Sequence, residues 1–271
     1  MRALAAIDAW PAGTAAAVVA TSGGEWAHGP AGTVLPWASV TKLVTALAVL
    51  VAVEEETVTL DDPAGPPGAT VRHLLAHAAG LGPDGGVLAR PGERRIYSNA
   101  GFEAVAAHVA ERSGMAFEQY AHEAVVRPLR MTATRLDGSP AHGMAGPLAD
   151  LAALARELLS STLVTPATMS TAVTVAFPGL AGVLPGFGRQ DPNDWGLGFE
   201  LRDAKTPHWT GARNSPRTFG HFGRSGTFLW VDPDAGDGGT ALACLTDHEF
   251  GDWAIEAWPA LADAVLAELE G

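Results

Sequence analysis

The segment S-V-T-K-L-V-T-A-L-A-V-L-V-A-V-E, residues 39–54, sets the tightest limit on how this chain can fold. Its spacing predicts a helix that is apolar on nearly every face. Between Leu43 and Val53 only Thr45 interrupts the apolar run. A helix at a protein surface keeps a polar face, so one without it has to be buried. The run is 11 residues long, against roughly 20 needed to span a bilayer. A globular core is therefore expected around it. The 271 residues, 47% hydrophobic and 17% charged, are enough to build that core as one large domain or a core with a second lobe.

The net charge of −13 argues against nucleic acid or an anionic membrane as a partner, because phosphate binding needs a basic surface. Cys244, in T-A-L-A-C-L-T, is the single cysteine. It can form no internal disulfide and is expected as a small buried hydrophobe on a strand. At the N-terminus Asp8 and Pro11 cut the first apolar run short, which does not resemble a secretory signal. A soluble, cytoplasmic protein is expected.

Strand signals gather at the two ends of the chain and helix signals in the middle. T-A-A-A-V-V-A-T (14–21), the turn Ser22–Glu25 and W-A-H-G-P predict a hairpin. The pattern predicts helices over 70–81, with Gly80 as C-cap, over Asn99–Gly114, over 115–126 and over Leu148–Ser160. Residues 178–195, with three prolines and four glycines, read as a long surface loop or linker. Strands are expected at 195–201, 218–223, 227–232 and 240–246, and an amphipathic helix over Trp253–Leu269. The simplest packing is an α+β fold in which both chain ends build one central antiparallel sheet flanked by helices. Residues 1–60 and 195–271 would form that unit, 61–194 a helical lobe, and a cleft would lie between them.

Within the apolar helix, Ser39 and Lys42 stand three residues apart and so share a face. The chain has only two lysines, and one is placed here. Burial lowers an amine's pKa, and a neutral amine can take the proton of a serine hydroxyl, which is otherwise a weak nucleophile. A helix start also offers free N–H groups to developing negative charge. Ser-x-x-Lys is a weak signal alone, since about one is expected by chance in a chain of this length. Two further elements follow it in order. R-I-Y-S-N-A-G-F (95–102) carries one of two tyrosines, Tyr97, ahead of a helix that Ser98 or Asn99 can cap. G-H-F-G-R-S-G-T (220–227) places glycines at every third position around His221, a sign of close approach to a strand.

With S-x-x-K, Y-S-N and H-x-G in this order, the chain resembles the serine β-lactamase and penicillin-binding protein superfamily. The likeness is greatest to its class C branch, which holds class C β-lactamases, family VIII esterases and D-Ala-D-Ala carboxypeptidases. H-L-L-A-H-A-A-G-L (73–81), with Ala79 where Ser is usual, is similar to a further block of that branch. So are 91–99, 125–134, 194–200 and 219–233, and the likeness runs over nearly the whole chain.

The resemblance implies that Ser39 is the acylated nucleophile and that Lys42 and Tyr97 share proton transfer, the acylation base being either. It implies that Asn99 binds a substrate amide or orients Lys42, and that His221 stands where the Lys of K-T-G is usual. Gly223 would let substrate approach the strand, and the backbone N–H groups of Ser39 and Arg224 would form the oxyanion hole. No cofactor or metal is expected, and the partner is a small-molecule acyl substrate; the oligomeric state stays open.

Histidine at 221 removes a permanent cation, and Phe222 replaces a hydroxyl residue. Both favour an ester or other neutral acyl substrate over β-lactams, unless Arg224 or Arg213 restores the charge. A true β-lactamase or D,D-peptidase is the alternative, and a ligand-sensing module without turnover is another. The chain is also short for its branch, which implies an open cleft. His73 and His77, four apart, suit a helical metal pair but lack the Glu of H-E-x-x-H, so packing of the 70–81 helix is their expected role. Trp195 and Trp230 are expected in the core or the cleft wall.

Overall fold

A computed structural model describes residues 1–271. After a 3₁₀ segment, Ala3–Ala9, the chain forms β1 (Ala15–Thr21), β2 (Gly24–His28), β3 (Leu35–Pro36) and α1 (Thr41–Glu54). There follow α2 (Val71–Leu75), α3 (Asn99–Ser113), α4 (Phe117–Ala121), β4 (Arg135–Leu136), β5 (Met144–Gly146), α5 (Leu148–Leu159) and α6 (Pro166–Ala172). The last part comprises β6 (Gly182–Leu184), β7 (Gly188–Gln190), β8 (Glu200–Leu201), β9 (Phe219–Gly223), β10 (Thr227–Asp232), β11 (Thr240–Thr246) and α7 (Asp252–Glu270).

Both chain ends join in one antiparallel six-stranded sheet of order β2-β1-β11-β10-β9-β8. Apart from the exposed edge strand β2, the sheet is buried on both faces, which explains why β1, β10 and β11 read as continuous apolar runs. Alternate residues of each strand enter different cores. Ala16, Val18, Leu229, Val231, Ala243 and Leu245 pack with α1, α3 and α5. Ala17, Val19, Phe228, Trp230, Leu242 and Cys244 pack with α7 and the first 3₁₀ segment. Cys244 is thus the buried strand residue its neighbours suggested. The enclosure of α1 is nearly complete: every residue from Thr41 to Ala52 is buried.

Four local expectations need correction. The helix expected over 70–81 ends at Leu75, because its following carbonyls have partners outside it. Leu75 O accepts from Gly198 N–H at 3.0 Å, His77 O from Ile96 N–H at 2.9 Å and Ala78 O from Gly92 N–H at 2.8 Å. His77 sits at φ 54°, and Gly80 turns the chain rather than capping a helix. The helix expected over 115–126 is α4 followed by a π-helical turn over His122–Val126. The loop expected over 178–195 contains the β6–β7 hairpin. The strand expected over 195–201 is confined to Glu200–Leu201, because Gly198 turns at φ 88° to bring its N–H to Leu75 O. The middle of the chain, although mostly helical, also supplies β4 and β5, which pair with β3 in a second small sheet.

Because α1 is buried from Thr41 to Ala52, apolar packing dominates its stability. Leu47 is fully buried, and Leu47→Ala is expected to cost about 2–5 kcal/mol in chemical denaturation. Val183→Ala, at an exposed position, should stay within about 0.5 kcal/mol. Equal losses at the two sites would contradict this account of the core.

Candidate active site

The buried polar side chains of α1 share one task. Thr41 Oγ1 accepts from Met144 N–H at 3.0 Å, Thr45 Oγ1 donates to Pro140 O at 2.6 Å, and Lys42 Nζ donates to Ala141 O at 2.9 Å. All three fasten the segment 140–144 to a helix whose other buried side chains are apolar. The same segment holds the residues before Ser39, through Trp37 N–H to Met144 O at 2.8 Å. Ser39 itself lies in a 3₁₀ turn, Ala38–Val40, just ahead of α1. Ala38 takes φ 44°, a conformation that costs energy for a residue with a Cβ.

Lys42 Nζ lies 3.2 Å from Ser39 Oγ and 2.8 Å from Asn99 Oδ1. The Tyr97 hydroxyl donates to Ser39 Oγ at 2.7 Å. The Tyr97 ring also faces the amine, 4.7 Å from Nζ to the ring centroid. Asn99 begins α3, whose first turn is capped by Ser98 accepting from Gly101 N–H at 3.0 Å. Two chain-distant segments, 39–42 and 97–99, therefore place a hydroxyl, an amine, a phenol and an amide within hydrogen-bonding range.

Burial decides their protonation. It lowers the Lys42 amine from 10.5 to about 7, a shift that Glu103 partly opposes. It raises the Tyr97 phenol, with the Ser39 hydrogen bond acting weakly the other way. It holds His221 down at about 3, with the nearby Lys42 charge adding to the effect. Lys42 is thus the group whose charge changes near neutral pH, while Tyr97 stays a phenol and His221 a neutral imidazole. A neutral amine has two N–H donors and one lone pair. Asn99 Oδ1 and Ala141 O take the two N–H groups, which leaves the lone pair for the Ser39 hydroxyl.

The strand β9 approaches this cluster at Gly223. A Cβ there would lie 2.5 Å from Trp37 O and 3.1 Å from Ser39 N. The backbone around Ser39 therefore requires glycine at 223. His221 and Arg224 border the same cleft, of about 620 Å³, with Ser39, Tyr97 and Asn99. His221 donates from Nδ1 to Phe222 O at 2.7 Å, and its buried Nε2 has no protein partner. Arg224 is exposed and faces Glu249 at 3.6 Å. Arg213 is elsewhere, paired with Glu270 at 2.7 Å, so it supplies no charge to the cleft.

His142 and the tip of the β6–β7 hairpin also line the cleft, and neither was anticipated. His142 follows directly on Ala141, the carbonyl that binds Lys42, but no residue pattern announces it. Leu184, Pro185 and Gly186 form an apolar wall with Phe222, Phe250 and Trp195. His73 and His77 do not form a pair. His73 accepts or donates at Thr70 Oγ1 and stacks on Phe177, whereas His77 packs behind Tyr97.

Comparison with known proteins adds three findings. The sequence profile of the beta-lactamase family matches residues 6–266. A crystal structure described as a beta-lactamase from Mycobacterium bovis is 54% identical, covers 98% of this chain and 99% of its own, and superposes with a TM-score of 0.96. Two others share the fold at low identity. EstCE1, described as a hydrolase with promiscuous acyltransferase activity, is 19% identical over 96% of this chain and 95% of its own, TM-score 0.78. A penicillin-binding protein homologue from Pyrococcus abyssi, described as octameric, is 19% identical over 98% of this chain and 75% of its own, TM-score 0.74. No functionally curated protein sequence matches the chain. No helix is long and apolar enough to cross a membrane.

Gly223→Ala tests the packing of β9 on the Ser39 turn. The added methyl should displace that turn and slow fluorophosphonate labelling of Ser39 roughly 100-fold, with the fold retained by circular dichroism. Labelling at the normal rate would show that the contact does not set the geometry of Ser39.

Proposed function

The chain belongs to the beta-lactamase family, and from that premise we propose that it is a serine hydrolase acting on small, uncharged esters or amides through an acyl-enzyme at Ser39. The observation that carries this reading is the convergence on Ser39 Oγ of a buried amine at 3.2 Å and a phenol at 2.7 Å. Lys42, neutral, takes the Ser39 proton as Oγ attacks the carbonyl carbon. The N–H groups of Ser39 and Arg224 receive the negative charge on the carbonyl oxygen. Tyr97, still protonated, gives its proton to the departing alcohol or amine and regains one from the Lys42 ammonium. In the second half-reaction the attacking water loses its proton along the same two groups, and Ser39 is released as the hydroxyl.

The cleft wall supports an uncharged substrate. Near the acyl site the strand offers His221, neutral at ordinary pH, beside the apolar Phe222, Phe250, Leu184 and Pro185. A carboxylate against that wall would lose water without gaining a buried cation, since Arg224 at the cleft border is exposed and faces Glu249. The second reading, a β-lactamase, is favoured by the 54% identity to the Mycobacterium bovis protein described as one. In that reading the exposed Arg224 has to supply the missing charge.

Two measurements test this. Hydrolysis of p-nitrophenyl acetate should vanish in Ser39→Ala and fall roughly 10²–10⁴-fold in Lys42→Arg, which cannot act as a base. Since only the neutral amine is active, kcat/KM should fall roughly tenfold per pH unit below about 7 and level off above it. Turnover that survives in Ser39→Ala, or a profile flat from pH 5 to about 9, would exclude the mechanism. In the same preparation, kcat/KM for nitrocefin should lie roughly 10–100-fold below that for the uncharged ester, the worth of one missing charged hydrogen bond. The reverse order would make the β-lactamase reading the correct one.

A further inference from the structure

We propose that His77 is a positioning residue that fixes Tyr97 against Ser39 by gripping the backbone on both sides of it. The proposal rests on the acyl-enzyme reading of Ser39 and Tyr97. Ile96 N–H donates to His77 O at 2.9 Å, and Ser98 N–H donates to His77 Nδ1 at 3.1 Å. These are the residues immediately before and after Tyr97. The imidazole then lies against the Tyr97 ring, 4.7 Å between centroids. One residue supplies both acceptors and the surface, so its own covalent geometry sets where the phenol can sit. On its other sides the imidazole is enclosed by Phe102 at 5.3 Å and, edge-on, by Trp195 at 4.7 Å.

Two features show that this residue is built for the hold and not for packing alone. Its backbone is held at φ 54°, a conformation that costs energy for a residue with a Cβ. Its ring has to be neutral, because Nδ1 accepts from Ser98 only while unprotonated, and the remaining proton is then on Nε2. Burial lowers the pKa well below the usual value, and Lys42, His221 and Arg95 act in the same direction. Nε2–H has no protein partner, so Nδ1 and the backbone carbonyl make the polar contacts that matter here.

The test uses the rate of fluorophosphonate labelling of Ser39, which needs no natural substrate. Asparagine tolerates positive φ and places an acceptor near Nδ1, whereas glycine keeps the backbone and removes the acceptor. His77→Gly should slow labelling roughly 10–100-fold, and His77→Asn should stay within about threefold of the natural protein. In a Tyr97→Phe background, His77→Gly should add no more than about a twofold loss, because the phenol it positions is already gone. Equal losses from His77→Gly in both backgrounds, or His77→Asn as slow as His77→Gly, would overturn the proposal. If the glycine variant does not fold, the asparagine variant decides alone: retained labelling supports the grip, and a loss of roughly tenfold or more ends it. Failure of the underlying reading shows separately, as labelling that persists in Ser39→Ala.

Discussion

Enclosing an amine in an apolar helix is the constraint from which the rest of this site follows. Lowering Lys42 from 10.5 to about 7 means that its charged form is disfavoured by roughly 5 kcal/mol inside the fold. The unfolded chain binds that proton more tightly, so the cost is full below about pH 7 and disappears as pH rises toward 10.5. Such a penalty is a large part of an ordinary domain's net stability. The completeness of the burial around α1, on one face of a sheet covered on both sides, is what offsets it. The same burial makes the amine a base at neutral pH, so stability and reactivity draw on one interaction in opposite directions.

The topology matters because it brings chain-distant groups to that amine. Residues at 39, 97, 141 and 221 meet only because both chain ends share one sheet while the segment between them folds back over α1. Thr41, Lys42 and Thr45 look like three unrelated breaks in an apolar run. In space they are one row of contacts to 140–144, and that row also fixes Trp37 and the turn of Ser39. Close approach of β9 to this turn then demands glycine at 223, while Gly226, at φ 82°, makes the bend into β10.

Much of this was legible beforehand, and for a physical reason. Strands buried on both faces and a helix buried on all of them leave unmistakable apolar runs, so the sheet, α1 and α7 read directly. The three short motifs also read directly, because each combines a reactive side chain with a local backbone requirement. What could not be read was set by contacts from elsewhere. Nothing local stops a helix at Leu75; it stops because Gly198, Ile96 and Gly92 claim the next carbonyls. Glycine and proline in 178–195 correctly signalled turns, but the short β6–β7 pairing and its place against Phe250 depend on the far end of the chain. His142 carries no local signature, being placed by the neighbouring carbonyl that binds Lys42. His77 was visible as a residue but misleading as a pattern, since its spacing from His73 has meaning only if the helix continues.

Histidine at 221, where the motif resemblance implies a lysine, is tied to the same amine. A cation depresses the pKa of a basic group beside it, as the Lys42 charge does to His221 here. A permanent charge at 221 would press on Lys42 and shift its titration further down, and it would also bring water and counter-charge into the wall formed by Phe222, Phe250 and Leu184. A neutral imidazole avoids both. It keeps one hydrogen-bond acceptor on the strand while leaving Lys42 as the group that titrates near neutrality. On this view the choice of residue at 221 and the pH at which the amine at 42 titrates are not independent, and the proposed preference for an uncharged substrate would follow from their coupling.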